Sequence, residues 1–420
     1  MSGRFKRFAA NAALSLVAIG VSLALLDGLL IVTGLFPPTY DYGDAKVGWL
    51  SARPTGAMVS EGCLELATQQ RLEFRRNEDA IRTSRSSTEL RQRDSTLRVA
   101  VSGDSHTDLC APNERTHFGV LEQTLNASGR PTTVFAFGAG KYSPLQAYLA
   151  VQTPMREYHA DALVLNVYTG NDFYDMLRVD DRPHFVPHDT GYSLADPVWY
   201  QQDPPGVVRR SRVLHALRLF GQRTGLRRVW LRITYLRDVA SSQGQGLSAV
   251  TGYLNDLRHA NADGVGYPQA FTAQMLNQQL FFHRFPGSRD ESIRRMRALL
   301  AYVKQREPGR LLAVSPIPSY RMVDQSKSDS TFAAVLGRLP VTAEAGIAEE
   351  RALYEALRTA AAAEGWAFVD NLPLLQAAAP TPALFNTFDY HIEPVASAII
   401  GRAQAAVLDS ALTARTGRGK

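Results

Sequence analysis

Residues 97–103 read LRVAVSG, and the chain continues through Asp104, Ser105 and His106 into a polar stretch. A short apolar run that stops at glycine and opens into polar residues predicts a buried strand delivering its carboxyl end to a loop. Downstream the pattern repeats with helical stretches between the runs. FGVLEQTLNASG (118–129) is helical in period, TTVFAFG (132–138) is a second strand, SPLQAYLAVQTPMREY (143–158) a helix, and ALVLNVYTG (162–170) a third strand. Much later come ESIRRMRALLAYVKQ (291–305, helix), RLLAVSPIP (310–318, strand), EERALYEALRTAAAAEG (349–365, helix), WAFVDNLPLL (366–375, strand) and a closing helix, VASAIIGRAQAAVLDSAL (395–412). Strands alternating with helices at this spacing predict one doubly wound α/β domain over 97–410, its parallel sheet covered on both faces, with an insertion at about 176–288.

The 420 residues are long enough for this domain and its flanks, and 45% hydrophobic with 20% charged residues is ordinary globular composition. The net charge of +6 invites a nucleic-acid function until it is located. Arg4, Lys6 and Arg7 against Asp27 give residues 1–36 a charge of +2, and Arg415, Arg418 and Lys420 give the basic tail 411–420 a charge of +3, leaving +1 for the body. No nucleic-acid partner is expected. No internal repeat, Walker motif or dinucleotide fingerprint occurs, and two cysteines, Cys63 and Cys110, exclude a disulfide framework and a four-cysteine zinc site. These two either pair in an oxidising compartment, pinning the preceding segment near residue 105, or stay as free thiols.

The amino terminus carries a basic opening, RFKR, followed by an apolar stretch from Ala9 to Phe36 broken seriously only by Asp27. At about 1.5 Å per residue this exceeds a hydrocarbon core of roughly 30 Å, and it is longer than the usual apolar core of a cleaved signal peptide. Residues 1–38 therefore read as a cytoplasmic amino terminus and a single transmembrane helix ended by Pro37 and Pro38, which places everything from Thr39 onward outside. Residues 39–96, rich in Arg, Ser and Thr without sustained period, read as a linker or lid-like segment.

In an open parallel sheet, ligands bind outside the carboxyl ends of the strands. Strand one ends in Gly103-Asp104-Ser105, strand two in Gly138-Ala139-Gly140-Lys141, strand three in Gly170-Asn171-Asp172, and Asp389-Tyr390-His391 stands just before the final helix. Acyl transfer needs these parts. A serine hydroxyl requires a base within hydrogen-bond reach, here His391, and the base an orienting carboxylate, here Asp389. The developing oxyanion needs preorganised donors: the Ser105 N–H, a backbone N–H at Gly140 or Lys141, and the Asn171 amide. Asp172 reads as a cap of the following turn, Tyr390 as packing, and His106 either lines the cleft or faces solvent. Asp370 is a second candidate orienter. No metal ligand set is needed.

In these blocks the chain resembles the SGNH (GDSL-like) hydrolases. Gly103-Asp104-Ser105 is similar to their first block, Gly170-Asn171-Asp172 to the third, and Asp389 with His391 to the last. The resemblance implies a flavodoxin-like three-layer α/β/α sandwich and ester hydrolysis or acyl transfer without a cofactor, often on acetylated carbohydrate. The membrane helix ahead of such a domain is similar to bacterial envelope members and implies a periplasmic or extracytoplasmic domain. Three departures stand out: His106 occupies the leucine position of GDSL, Lys141 falls where the second block has glycine, and one residue rather than two separates Asp389 from His391.

The sequence thus predicts a serine esterase acting on O-acetyl or other short acyl esters of a glycan. The alternatives are an O-acyltransferase with the same Ser105, His391 and Asp389, or a non-catalytic glycan-binding envelope protein. Within the insertion, residues 209–238 hold nine arginines against Asp238, interleaved with Val213, Leu214, Leu217, Leu219, Val229, Trp230 and Leu231. That pattern predicts one or two amphipathic helices with a solvated basic face, or one that meets anionic lipid or acidic glycan.

Overall fold

A computed structural model of the chain describes residues 11, 14, 15, 17–26, 42–44, 46–50, 55–64, 70–179, 182–197, 213, 226–261, 276–324, 340–379, 384–386 and 390–417. Two antiparallel hairpins precede the sheet, β1 (Tyr42–Asp44) with β2 (Gly48–Leu50) and β3 (Val59–Leu64) with β4 (Arg71–Arg76). The first half of the domain runs β5 (Leu97–Gly103), α1 (His117–Ala127), β6 (Thr132–Gly138), α2 (Pro144–Glu157), β7 (Ala162–Tyr168) and a single turn, α3 (Asp172–Asp175). The insertion contributes the hairpin β8 (His184–His188) and β9 (Gly191–Ala195), then helices α4 (Leu226–Ser242), α5 (Leu247–Asn261) and α6 (Asn277–Arg284). The second half runs α7 (Pro286–Arg306), β10 (Leu311–Ile317), α8 (Ala343–Glu364), β11 (Ala367–Phe368), α9 (Asn371–Ala378) and α10 (Pro394–Gly417).

The sheet order is β11-β10-β7-β5-β6, all parallel. Numbered by appearance within the sheet this is 2-1-3-4-5, the flavodoxin-like order, and the chain is a three-layer α/β/α sandwich. Alternate residues serve the two faces. Val99, Val101, Val134, Val164 and Ala313 pack with Phe118, Leu121, Ala405 and Leu408 of α1 and α10. Ala100, Phe135, Leu163, Leu165 and Val314 pack with α2, α7 and α8 through Leu145, Val151, Leu299, Val303 and Leu357. Burial on both faces is why the strands read as almost unbroken apolar runs. Caps set the helix starts: Thr116 accepts from the Gly119 N–H ahead of α1, and Ser143 and Gln146 form a capping box ahead of α2.

The last strand is shorter than the sequence predicts. WAFVDNLPLL yields two paired residues, and Asn371 onward is the helix α9. Pro373 has no N–H to give a sheet, whereas the first turn of a helix needs none. The segment before the domain is also more ordered than a linker. Arg82 is buried, with its guanidinium donating to the Leu109 and Ala111 carbonyls at 2.6 Å each and to Asn113 Oδ1 at 3.1 Å. Arg98, also buried, donates to the carbonyls of Leu90, Gln92 and Tyr158.

At the amino end, Val17–Leu26 forms an apolar helix whose Val17, Val21 and Leu25 side chains are exposed. Much of the rest of the 9–36 stretch lies outside the described residues. Among the described residues the helix long and apolar enough to cross a membrane is Pro394–Arg415. It belongs to α10, where Ala396, Ile400, Ala405 and Leu408 are buried in the core of the sandwich. Of the arginine-rich stretch, α4 and Val213 are described, Val213 buried, and the other residues of 209–225 lie outside.

Candidate active site

Register brings the strand ends into line: Gly103 pairs with Gly138, and Tyr168 with Ile317. Beyond Gly103 the chain turns at once. The Asp104 carbonyl accepts from the Thr107 and Asp108 N–H groups at 3.0 and 3.1 Å, and Asp104 Oδ1 accepts from the His106 N–H at 2.9 Å. This single turn lies directly on Gly138, where a Cβ would stand 2.8 Å from both the Asp104 carbonyl oxygen and the Asp108 nitrogen. On Gly103 a Cβ would meet Thr107 Oγ1 at 2.3 Å. Glycine at both places is the condition for so tight an elbow, on which Ser105 stands half-buried.

The second block forms a turn in which the Tyr142 N–H donates to the Ala139 carbonyl at 3.2 Å, with Gly140 and Lys141 exposed at its corners. Lys141 has φ +68°, the left-handed conformation that favours glycine. The residue that departs from the family pattern therefore keeps the backbone geometry a glycine would have. The Tyr142 hydroxyl donates to the Trp49 carbonyl, and Gln146 Nε2 donates to the Val47 carbonyl at 2.7 Å, so the β1–β2 hairpin packs beside this turn.

In the third block the Asn171 Nδ2 donates to Asp175 Oδ2 at 3.0 Å. Asp172, fully buried, does not cap the turn ahead of it; its Oδ2 accepts from the Tyr168 N–H behind it at 2.7 Å. Gly170 sits against the Tyr168 ring, where a Cβ would approach to 2.5 Å.

His391 is held by a short antiparallel contact between Phe385 and Ile392, in which its carbonyl accepts from the Asn386 N–H at 2.9 Å. Tyr390, at φ +59°, is buried and stacks on Tyr320 with ring centroids 4.1 Å apart, a packing role as the sequence suggests. The His391 ring lies 4.8 Å, centroid to centroid, from that of His106. His106 in turn stacks on Tyr168 at 4.1 Å and is buried, so it does not face solvent. The carboxyl-terminal imidazole is thus on the rim that carries Ser105. Asp389 lies outside the described residues. Asp370 accepts from the Tyr354 hydroxyl at 2.8 Å and from Arg358 at 2.9 Å.

The electrostatics of the rim are dominated by buried carboxyls. Burial lifts Asp104 from 3.8 to about 6, partly opposed by its His106 N–H bond and by the charge of His391, while the neighbouring Asp175 pushes it further up. Burial, with Asp104 and Asp175 as like-charged neighbours, raises Asp172 well above the usual carboxylate range. Such displaced values cluster at functional sites.

Four separate stretches of chain therefore meet at the carboxyl ends of β5, β6 and β7. The chain resembles the SGNH hydrolases. No protein-family model matches it, and no curated protein matches it in sequence. Among solved structures it is similar to an alpha/beta hydrolase from the metagenome of Lake Arreo, Spain, at 10% identity and a TM-score of 0.35, covering 76% of this chain and 97% of that one. An acetylxylan esterase from Geobacillus stearothermophilus, in a catalytic mutant form, is similar at 10% identity and a TM-score of 0.35, covering 74% and 93%. A lipase/acylhydrolase from Enterococcus faecalis is similar at 10% identity and a TM-score of 0.34, covering 74% and 94%.

Several supports of this site have no signature in the sequence. Beneath the elbow, the buried Asn166 of β7 donates to Thr107 Oγ1 at 2.9 Å, and Gln404 of α10 donates to Asn166 Oδ1 at 2.9 Å and to Ser315 Oγ at 3.0 Å. This polar chain ties the closing helix to β7, β10 and the turn that carries Ser105. Cys63 and Cys110 form a disulfide, which decides between the two sequence readings and fastens the β3–β4 hairpin to the loop after the elbow. Arg76 adds an ion pair to Asp108 at 2.8 Å.

Proposed function

We propose that the protein is a serine esterase of the SGNH type, anchored by its amino-terminal apolar helix, with its catalytic domain on the outer side of the membrane. The observation that supports this most is the 4.8 Å approach of the His391 ring to His106, the residue that follows Ser105. Ser105 Oγ attacks the ester carbonyl carbon while His391 takes its proton. The Ser105 N–H, the Gly140 or Lys141 N–H and an Asn171 amide N–H hold the oxyanion. Collapse breaks the bond to the alcohol oxygen, which leaves with the proton from His391. Water, deprotonated by His391, then attacks the acyl carbon; the bond to Ser105 Oγ breaks, His391 returns the proton to that oxygen, and the carboxylic acid leaves. In this reading Asp389 orients His391 and stabilises its imidazolium. The acetyl or short acyl ester of a glycan as substrate rests on the family resemblance of the sequence blocks.

The test is turnover of an activated acetyl ester, with and without an oligosaccharide acceptor, alongside labelling by a serine-directed phosphonate. Hydrolysis without acceptor, and labelling lost in Ser105→Ala, are expected. Turnover that requires the acceptor would make the protein an O-acyltransferase, and a folded protein that never labels would make it a non-catalytic binder.

A further inference from the structure

Asn171 and Asp175 lie four residues apart on one turn, which places their side chains on the same side. The Asn171 Nδ2 donates to Asp175 Oδ2 at 3.0 Å. A carboxylate accepts and does not donate, so it decides which end of the amide faces it: the nitrogen, never the oxygen. An amide nitrogen carries two N–H groups, and when Asp175 holds one, the other is left with a fixed direction. Asp175 is itself buried and clamped, with Arg182 Nη1 at 2.7 Å from its Oδ1 and Arg178 Nη1 at 3.7 Å. Arg182 is fully buried and lies over the Trp49 ring at 5.4 Å. An isolated carboxylate next to a developing oxyanion would raise the barrier that the amide lowers. The buried guanidinium offsets that charge.

We infer that Asp175 is a positioning residue for the oxyanion hole, that it acts through the Asn171 amide, and that Arg182 is the insertion's contribution to the site. This rests on the esterase reading and gives the insertion a role in it.

The test is a double-mutant cycle on the full chain in detergent, reading kcat and KM for p-nitrophenyl acetate and the melting temperature of each variant. Asn171→Ala lowers kcat by about 100- to 1000-fold, the usual cost of one oxyanion donor. Asp175→Ala lowers kcat by about 100-fold, the cost of a misplaced catalytic group, with KM little changed. The double variant is no slower than Asn171→Ala, because Asp175 has nothing left to position. Asp175→Asn offers one acceptor oxygen where the carboxylate offers two, so it cannot serve both the Asn171 N–H and Arg182, and it recovers only part of kcat. Losses that multiply in the double variant at unchanged melting temperatures overturn the inference. Phosphonate labelling of Ser105 separates the two levels. Multiplied losses with labelling intact remove the positioning role alone, whereas a folded wild type that does not label removes the esterase reading with it.

Discussion

Replacing Cys63 and Cys110 together by serine separates what the disulfide does for the unfolded chain from what it does for the site. The bridge joins residues 47 apart, with the hairpin β3–β4 at one end and a cysteine just beyond the Ser105 elbow at the other. Cross-linking a loop of that length removes denatured-state entropy equivalent to about 4 kcal/mol at 25 °C. In the folded state the same hairpin keeps non-covalent ties to the loop: Arg76 to Asp108 at 2.8 Å, and Arg82 of the following strand-like bridge to the Leu109 and Ala111 carbonyls at 2.6 Å. The geometry of the elbow should therefore survive while the unfolding free energy falls. Urea unfolding followed by tryptophan fluorescence should show the double variant less stable by about 4 kcal/mol, with kcat changed little. A variant within about 1 kcal/mol of wild type would refute the entropic argument. A collapse of kcat at nearly unchanged stability would show that the two arginines do not hold the loop.

Three further outcomes follow from the geometry of the rim. Lys141→Gly relieves a left-handed φ of +68° and should stabilise the protein by about 0.5–1 kcal/mol in the same assay, leaving kcat intact because only a backbone N–H is used there. Gly138→Ala places a methyl 2.8 Å from two backbone atoms under the elbow. It should cost about 1–3 kcal/mol in urea unfolding and lower kcat by roughly ten- to a hundredfold, since the displaced group is the nucleophile's own turn. Asp104, lifted by burial from 3.8 to about 6, binds a proton in the native state that the unfolded chain has already lost. That contribution is fully present below about pH 4 and is lost as pH rises through about 6, amounting to at most about 3 kcal/mol. Asp104→Asn, measured by urea unfolding across that range, should show a correspondingly flatter profile; identical slopes would remove buried Asp104 as the cause.

The sandwich was legible because doubly buried strands need uninterrupted apolar runs, and four of the five stand in the sequence within a residue or two of their observed ends: 97–103, 132–138, 162–168 and 311–317. The fifth failed where apolar character alone could not tell strand from helix and Pro373 decided for the helix. The elbow was legible because its demands are local, a small residue on either side of a tight turn. The supports were not. Asn166 and Gln404 meet across 238 residues, each inside an element that otherwise reads as apolar, so no local pattern marks them. Asp175 offered a weak signal, a carboxylate four residues after Asn171, but Arg182 gains its meaning only from the fold. The 39–96 segment, rich in Arg, Ser and Thr, reads as a linker or lid, and nothing local in it marks Arg76 and Arg82 as the buried residues that hold the loop after the elbow.

A crystal structure of the phosphonate adduct shows whether the strand-end blocks converge on one reacting carbon. The adduct is expected to show phosphorus bonded to Ser105 Oγ, a His391 ring nitrogen within about 3.2 Å of that oxygen or of the leaving-group position, and the phosphoryl oxygen at a similar distance from the Ser105 N–H, the Gly140 or Lys141 N–H and the Asn171 amide. An adduct on another residue, or a phosphoryl oxygen pointing away from Asn171 with His391 out of reach, would contradict that convergence.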